Sequence, residues 1–189
     1  GPVPCIELRA GMVIGAGSIS WQIVRDIAMR LPIQLLPAWL ETQSQPIALR
    51  DVTAALEAAL SLELNNGPWV FDVPGPETLS AREILTRVAG LVDVRPVPVR
   101  LPMMSPRLSA HWLRLVTRAD PQVARELVLG LAHDLVAQED EIWSLLPDYQ
   151  RMSFDEAAQE ALTLENQSVS KRALRIEGSI QRLARALRP

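Results

Sequence analysis

Apolar residues fall in short runs early in the chain and in helical stripes later. Ile6 to Ile14 is an apolar-biased run closed by Gly15-Ala16-Gly17-Ser18, which predicts one strand and a turn. Ile23, Ile27 and Leu31 recur at four-residue spacing and predict a helix from about Ile19 to Arg30. Pro32 to Gln45, with Pro37 and Trp39, reads as loop, and Pro46-Ile47-Ala48-Leu49 as a short strand. Asp51 is placed to cap a helix whose Val52, Ala55, Leu56, Ala59 and Leu60 share one face. After the turn cluster Asn65-Asn66-Gly67-Pro68, Trp69 to Val73 predicts a second clear strand, ended by Pro74-Gly75-Pro76.

Helices dominate the remainder. Ser80 and Glu83 form a capping box ahead of Ile84, Leu85, Val88 and Leu91. Pro96 to Pro102 alternates proline with valine and leucine, which suits an edge strand or extended connector. Ser105-Pro106 and Asp120-Pro121 each set a cap before a first-turn proline, and Val123, Leu127, Leu131 and Leu135 form the second helix's stripe. Ser153 and Glu156 make a further capping box. A polar break from Glu165 to Ser170 precedes a last helix with Ile176, Ile180, Leu183 and Leu187 on one face.

Composition narrows the class. With 189 residues, 48% hydrophobic and 22% charged, the chain has the makeup of a soluble globular protein. No apolar run reaches the roughly 20 residues a membrane helix needs. No basic segment followed by an apolar core opens the chain, so no secretory leader is expected. Cys5 is the only cysteine, which excludes an internal disulfide and a thiolate metal cluster and is compatible with a cytoplasmic location. The net charge of −3 divides into +5 over residues 171–189 and −8 over the rest. The basic tail could meet an acidic partner or surface, but its apolar stripe is more simply explained by docking on the body or a neighbouring subunit. The acidic body and absence of a recognition motif argue against nucleic acid.

Three segments in order resemble the short-chain dehydrogenase/reductases, in their extended and atypical branches. Leu8-Arg9-Ala10-Gly11-Met12-Val13-Ile14-Gly15-Ala16-Gly17-Ser18 looks like a late sheet strand and its following turn. Gln45-Pro46-Ile47-Ala48-Leu49-Arg50-Asp51-Val52 is similar to the family's strand-to-helix segment, and Phe71-Asp72-Val73-Pro74-Gly75-Pro76-Glu77-Thr78-Leu79-Ser80 to its later Gly-Gly-Pro-Glu element. The match covers roughly residues 6–162, and the most similar branch is the NmrA-like and complex I 39-kDa-subunit-like one. The resemblance implies an α/β fold: a partial Rossmann-like sheet, then a mostly helical substrate-side region, then a C-terminal amphipathic helix. The corresponding divisions are residues 1–36, 37–164 and 165–189. NAD(P) is the cofactor implied for the complete fold, but the glycine-rich turn and Tyr-x-x-x-Lys pair both precede the region that aligns here. Tyr149 and Lys171, the only residues of their types, cannot form that pair, so this chain alone is not expected to bind the dinucleotide.

The candidate residues each have a competing structural role. Gly15-x-Gly17 imitates the start of a phosphate-binding turn, but Ser20 stands at the third glycine position and Glu41, the nearest ribose-binding acid, lies in a proline-bounded loop. Arg9 and Gly11 are the cofactor-side candidates; a buried mid-strand arginine needs a partner, and the competing readings of Arg9 are a structural salt bridge or a side chain at the sheet margin. Trp39, Gln45 and Arg50, with Trp21, are candidates for a substrate wall, against the alternative that the tryptophans are core. His111 and His133 lack partners at metal-binding spacing, and no metal site is expected. The leading function is the small-molecule substrate-binding portion of an NAD(P)-dependent oxidoreductase-like protein, completed by a homo-oligomeric neighbour or a complementary N-terminal chain. A non-catalytic assembly module, or a repurposed cofactor-independent enzyme using Asp72, Glu77 or His111, are the alternatives.

Overall fold

Two parallel strand pairs organise the first half of the chain. The computed structural model describes residues 5–30, 33–36, 38–62, 69–94, 97–100, 122 and 133–168. Strand β1 (Ile6–Arg9) pairs in parallel with β6 (Trp69–Asp72), in register from Ile6 opposite Trp69 to Arg9 opposite Asp72. Strand β2 (Val13–Ile14) pairs in parallel with β5 (Ile47–Ala48). The single strand expected over Ile6–Ile14 is therefore two strands that take different partners. The break falls at Ala10-Gly11, after which Met12 turns into the core and its carbonyl accepts from the Ile47 N–H at 2.9 Å.

Pairing over long sequence distance also makes strands where loop was expected. Within the Pro32–Gln45 stretch, β3 (Ile33–Leu36) pairs in parallel with β8 (Val97–Arg100), a 3-10 turn spans Ala38–Glu41, and β4 (Gln43–Ser44) pairs antiparallel with β7 (Leu79–Ser80). Strand β8 agrees with the extended reading of Pro96–Pro102. Among the described residues each of the four sheets has two strands.

Helix α1 (Ile19–Arg30) and α3 (Ala81–Leu91) form where the apolar spacing puts them. The capping box before α3 is complete: Ser80 Oγ accepts from the Glu83 N–H at 3.2 Å, and Glu83 Oε2 accepts from the Ser80 N–H at 2.7 Å. Helix α4 (Phe154–Ser168) has the same device at Ser153 and Glu156, and it includes Glu165 to Ser168, where a break was expected to begin. Helix α2 runs Leu49–Leu60, with Ala48 at its N-cap and no side-chain cap. Asp51 is therefore not the cap: it lies inside the first turn and is fully buried. Residues 133–153 depart from the helical expectation too, carrying only a 3-10 turn at Glu141–Leu145. The helices expected after Ser105 and Asp120 and the C-terminal amphipathic helix fall largely or wholly outside the described residues.

Two of the three apolar clusters among the described residues join the helices to the two strand pairs. Trp21, Ile84, Val88 and Phe154 join α1, α3 and α4 to Ile14 and Ala48 of the β2–β5 pair. Ile47, Ala55, Phe71, Val73 and Ile142 close α2 over the β1–β6 pair. The two sheets meet where the backbone at Gly75 crosses that at Pro46: the Gly75 N–H donates to the Gln45 carbonyl at 3.3 Å, and a Cβ on Gly75 would lie 1.7 Å from the Pro46 carbonyl oxygen. Both sides of that contact are backbone, so neither can rotate away. Gly75→Ala is expected to destabilise the fold by about 2–3 kcal/mol, the cost of overpacking against a rigid neighbour, in urea unfolding. An unchanged midpoint would contradict the crossing.

Candidate functional site

The carboxyl ends of β1 and β6 open into a cleft of about 170 Å³. Ligands of open parallel sheets bind at this end of the strands, because the chain leaves each strand there and the loops diverge. Its walls come from Arg9, Gly11, Gln45, Asp72, Pro74 and Leu135, among others. Three of the sequence candidates, Arg9, Gly11 and Gln45, are thus gathered from two separate motifs.

Arg9 is not the buried arginine its mid-strand position implied. Its side chain is 60% exposed, and Nε donates to Glu7 Oε1 at 2.7 Å. The Glu7 hydrogen bond and charge hold the guanidinium's pKa above its ordinary value, with a smaller contribution from Asp72. A Cβ on Gly11 would sit 3.9 Å from the Gln45 and Leu135 carbonyl oxygens, so glycine keeps this wall open without being sterically required.

Arg50 lies elsewhere. It lines a second cavity of about 310 Å³ at the ends of β2 and β5, with Gly15, Leu49, Met152 and Glu160. The backbone of Trp39 is in the 3-10 turn, and its side chain lies outside the described residues. Trp21 is fully buried in the core and is no pocket wall.

The outer wall of the first cleft is a strap, residues 133–153, that sequence reasoning missed. Its backbone is pinned to the strand ends. The Leu135 N–H donates to the Gln43 carbonyl at 2.8 Å and the Ala137 N–H to Gln45 Oε1 at 2.8 Å. The Gln138 N–H donates to Asp72 Oδ2 at 2.9 Å, while the Asp72 N–H donates to Glu139 Oε1 at 2.5 Å. Farther along, Trp143 Nε1 and Arg151 both donate to the Pro74 carbonyl, at 3.2 and 3.3 Å, and Arg151 lies over the Trp143 ring. Proline at 147 and the acids at 139–141 are the only local signs that the helical stripe has ended.

Asp51 anchors the strap's far end. Its Oδ1 accepts from the Tyr149 hydroxyl at 2.8 Å and its Oδ2 from the Met152 N–H at 2.9 Å. Tyr149 stacks on Trp143 at 6.0 Å between centroids. Burial, then the Asp51 hydrogen bond and charge, push the Tyr149 pKa up, so the phenol stays a donor.

The acid/base candidates have structural employment. Asp72 holds Gln138. Glu77 accepts from the Phe154 N–H at 2.8 Å, at the first residue of α4, and from Arg87 at 2.6 Å. Burial raises the Glu77 pKa, but the Phe154 and Arg87 bonds outweigh it and hold the group below its ordinary 4.5. His111 lies outside the described residues, and His133 is exposed. Among the described residues no cluster of three or more His, Cys, Asp or Glu could hold a metal ion, and no helix is long and apolar enough to cross a membrane.

The Gly15–Ser18 turn departs from a dinucleotide-binding one in its contacts and its third glycine position. The Ser18 N–H donates to the Gly15 carbonyl at 3.1 Å, and the Ser18 and Ser20 hydroxyls both donate to the Val13 carbonyl. A Cβ on Gly15 would meet Leu49 Cβ at 2.7 Å, so this glycine serves helix packing. The Ser18 amide and the two hydroxyls are thus committed within the turn, and Ser20 stands where the phosphate-binding pattern has its third glycine.

No family model matches the chain, and no curated protein matches it by sequence. Solved structures match by shape. UDP-glucuronic acid 4-epimerase from Bacillus cereus, in complex with UDP-glucuronic acid and NAD, is 13% identical with a TM-score of 0.58, over 88% of this chain and 46% of the enzyme. UDP-glucose 4-epimerase from Thermus thermophilus, in complex with NAD, is 17% identical with a TM-score of 0.52, over 87% and 47%. ADP-L-glycero-D-manno-heptose-6-epimerase from Helicobacter pylori is 12% identical with a TM-score of 0.55, over 88% and 45%. The chain spans somewhat under half the length of these proteins. At such identities the likeness is one of fold, and the fold is mixed α/β and partly Rossmann-like.

Two outcomes follow for the strap and α4. Asp51→Ala leaves the Tyr149 hydroxyl and Met152 N–H without their acceptor and is expected to cost about 2–3 kcal/mol, with loss of the near-UV signal of the Trp143–Tyr149 stack; an intact signal would contradict the anchor. The depressed pKa of Glu77 contributes stability that is fully present above the ordinary 4.5 and is lost as pH falls through the folded value. Stability should therefore decline below pH 4.5 less steeply in Glu77→Gln than in wild type, read by urea titrations across that range.

Proposed function

We propose that this chain is the substrate-side portion of an NAD(P)-dependent oxidoreductase-like protein of the atypical, NmrA-like branch. The observation that carries the reading is the cleft's position, at the carboxyl ends of a parallel pair within just under half of a dehydrogenase-type fold. Arg9 and Gly11 are assigned to the cofactor-facing side and Gln45 to the substrate. Trp39 and Arg50 belong to the same substrate-side set by their place in the resemblance, although Arg50 opens on the neighbouring cavity. The dinucleotide supplies the hydride chemistry when bound; this chain encloses and orients the small-molecule substrate. No step through the dinucleotide is assigned to it, because the third glycine of the phosphate-binding pattern is replaced by Ser20.

The sheet supports a nucleotide-binding partner. Among the described residues β1 pairs with β6 alone, and its other edge is a template for a further parallel strand. We assign that edge to a nucleotide-binding unit or, failing that, a second copy of this chain. The division into residues 1–36, 37–164 and 165–189, and a cytoplasmic location, belong to the same proposal.

Calorimetric titration of the chain with NADH and NADPH tests it. No measurable heat is expected from either. Micromolar binding that Gly17→Val abolishes would place a nucleotide site at the Gly15–Ser18 turn and overturn the division of labour.

A further inference from the structure

The cleft has a chemical preference that goes beyond its role as a substrate wall. The Ala137 N–H donates to Gln45 Oε1 at 2.8 Å, which fixes the amide's orientation, since a flipped amide would set its NH2 against that N–H. The NH2 group is left as a donor, and no described residue accepts from it. Val73, Pro74, Leu135 and Val136 make much of the rest of the wall apolar, and Leu135 and Val136 are 42% and 44% exposed. Such exposed aliphatic surface gains by covering a carbon skeleton.

Charge decides what the skeleton may carry. The lining carries one charge of each sign, Arg9 and Asp72, and behind it Glu7, Asp134 and Glu139 are bonded to the strand ends, against Arg151 alone. The charge of Arg9 is offset by Glu7, which takes its Nε–H, and Arg151 donates to the carbonyls of Pro74 and Gly75. The rim is net acidic and repels an anion. The volume of about 170 Å³ admits only a small group, below the roughly 300 Å³ where sites for drug-sized ligands begin.

We propose that the cleft takes a small, uncharged, mainly apolar carbonyl compound, with the Gln45 amide NH2 donating to its oxygen. The inference rests on the reading of the cleft as the substrate site. The test is an NMR titration of the full-length, isotope-labelled chain with cyclohexanone and, separately, cyclohexanecarboxylate, which share a ring and differ in charge. Cyclohexanone is expected to shift the Gly11, Leu135 and Ala137 amides saturably, and cyclohexanecarboxylate to bind about fivefold more weakly or worse. Gln45→Glu keeps an acceptor for Ala137 but turns the donor into an oxygen, and should weaken cyclohexanone binding about fivefold or more, the worth of one net hydrogen bond. Its melting temperature should stay near wild type; if it falls, Gln45→Ala is measured in its place with the same loss expected. Carboxylate binding as tight as the ketone's, or unchanged ketone binding in a folded Gln45 variant, overturns the inference alone. Shifts from neither probe would sink the cleft as a substrate site together with it.

Discussion

The tight backbone crossing of Gly75 over Pro46 is the constraint on which the other features depend. It brings the β1–β6 pair and the β2–β5 pair together with no side chain between them. From it follow the position of Gln45, whose carbonyl accepts from Gly75, and that of the Pro74 carbonyl, which faces Trp143 and Arg151. A bulkier residue at 75 would part the two sheets and with them the two sides of the cleft. The cleft is therefore a consequence of how closely two peptide segments can pass, and its side chains are positioned by that passage.

The strap illustrates how an irregular segment is held without a ladder of its own. Its amides are satisfied by carbonyls and carboxylates of the strands it crosses, at Gln43, Gln45 and Asp72. Its far end hangs on Asp51, a fully buried carboxylate whose oxygens each receive a donor from the strap. Buried charge is costly unless satisfied in this way. The acids that looked available for catalysis, Asp72 and Glu77, are occupied in holding the strap and the start of α4. The remaining polar capacity of the cleft resides in the Gln45 amide and the Arg9 N–H groups that Glu7 leaves, donors that suit recognition more than proton transfer.

What was legible in the sequence was local. Helix α1, the strand at Trp69, and the capping boxes at Ser80–Glu83 and Ser153–Glu156 rest on periodicity and three-residue spacing, which need no distant partner. The break at Ala10-Gly11 and strands β3, β4 and β7 were not legible, because each is defined by a partner remote in sequence. Asp51 shows the same limit: its spacing suggests a cap, and only the arrival of Tyr149, 98 residues later, gives a buried carboxylate its purpose. Of the cleft's lining, Arg9, Gly11 and Gln45 stand in segments the motif resemblance singles out, and their binding roles remain part of the proposal. The strap was not, since a stripe ending at Leu135 reads as helix until its amides are seen to bond elsewhere.

The central claim is that β1 is a one-sided strand, paired with β6 and open to a partner along its other edge. Amide hydrogen exchange, resolved residue by residue over Ile6–Arg9 at low protein concentration, addresses this directly. In a parallel pair alternate N–H groups point to the same neighbour. Every second amide of β1 should exchange slowly, and those between them as fast as exposed loop amides, with protection of the fast set appearing when the edge is covered. Uniform slow exchange across β1 in a monomeric chain would contradict the open edge, and with it the view that this chain is one side of a larger site.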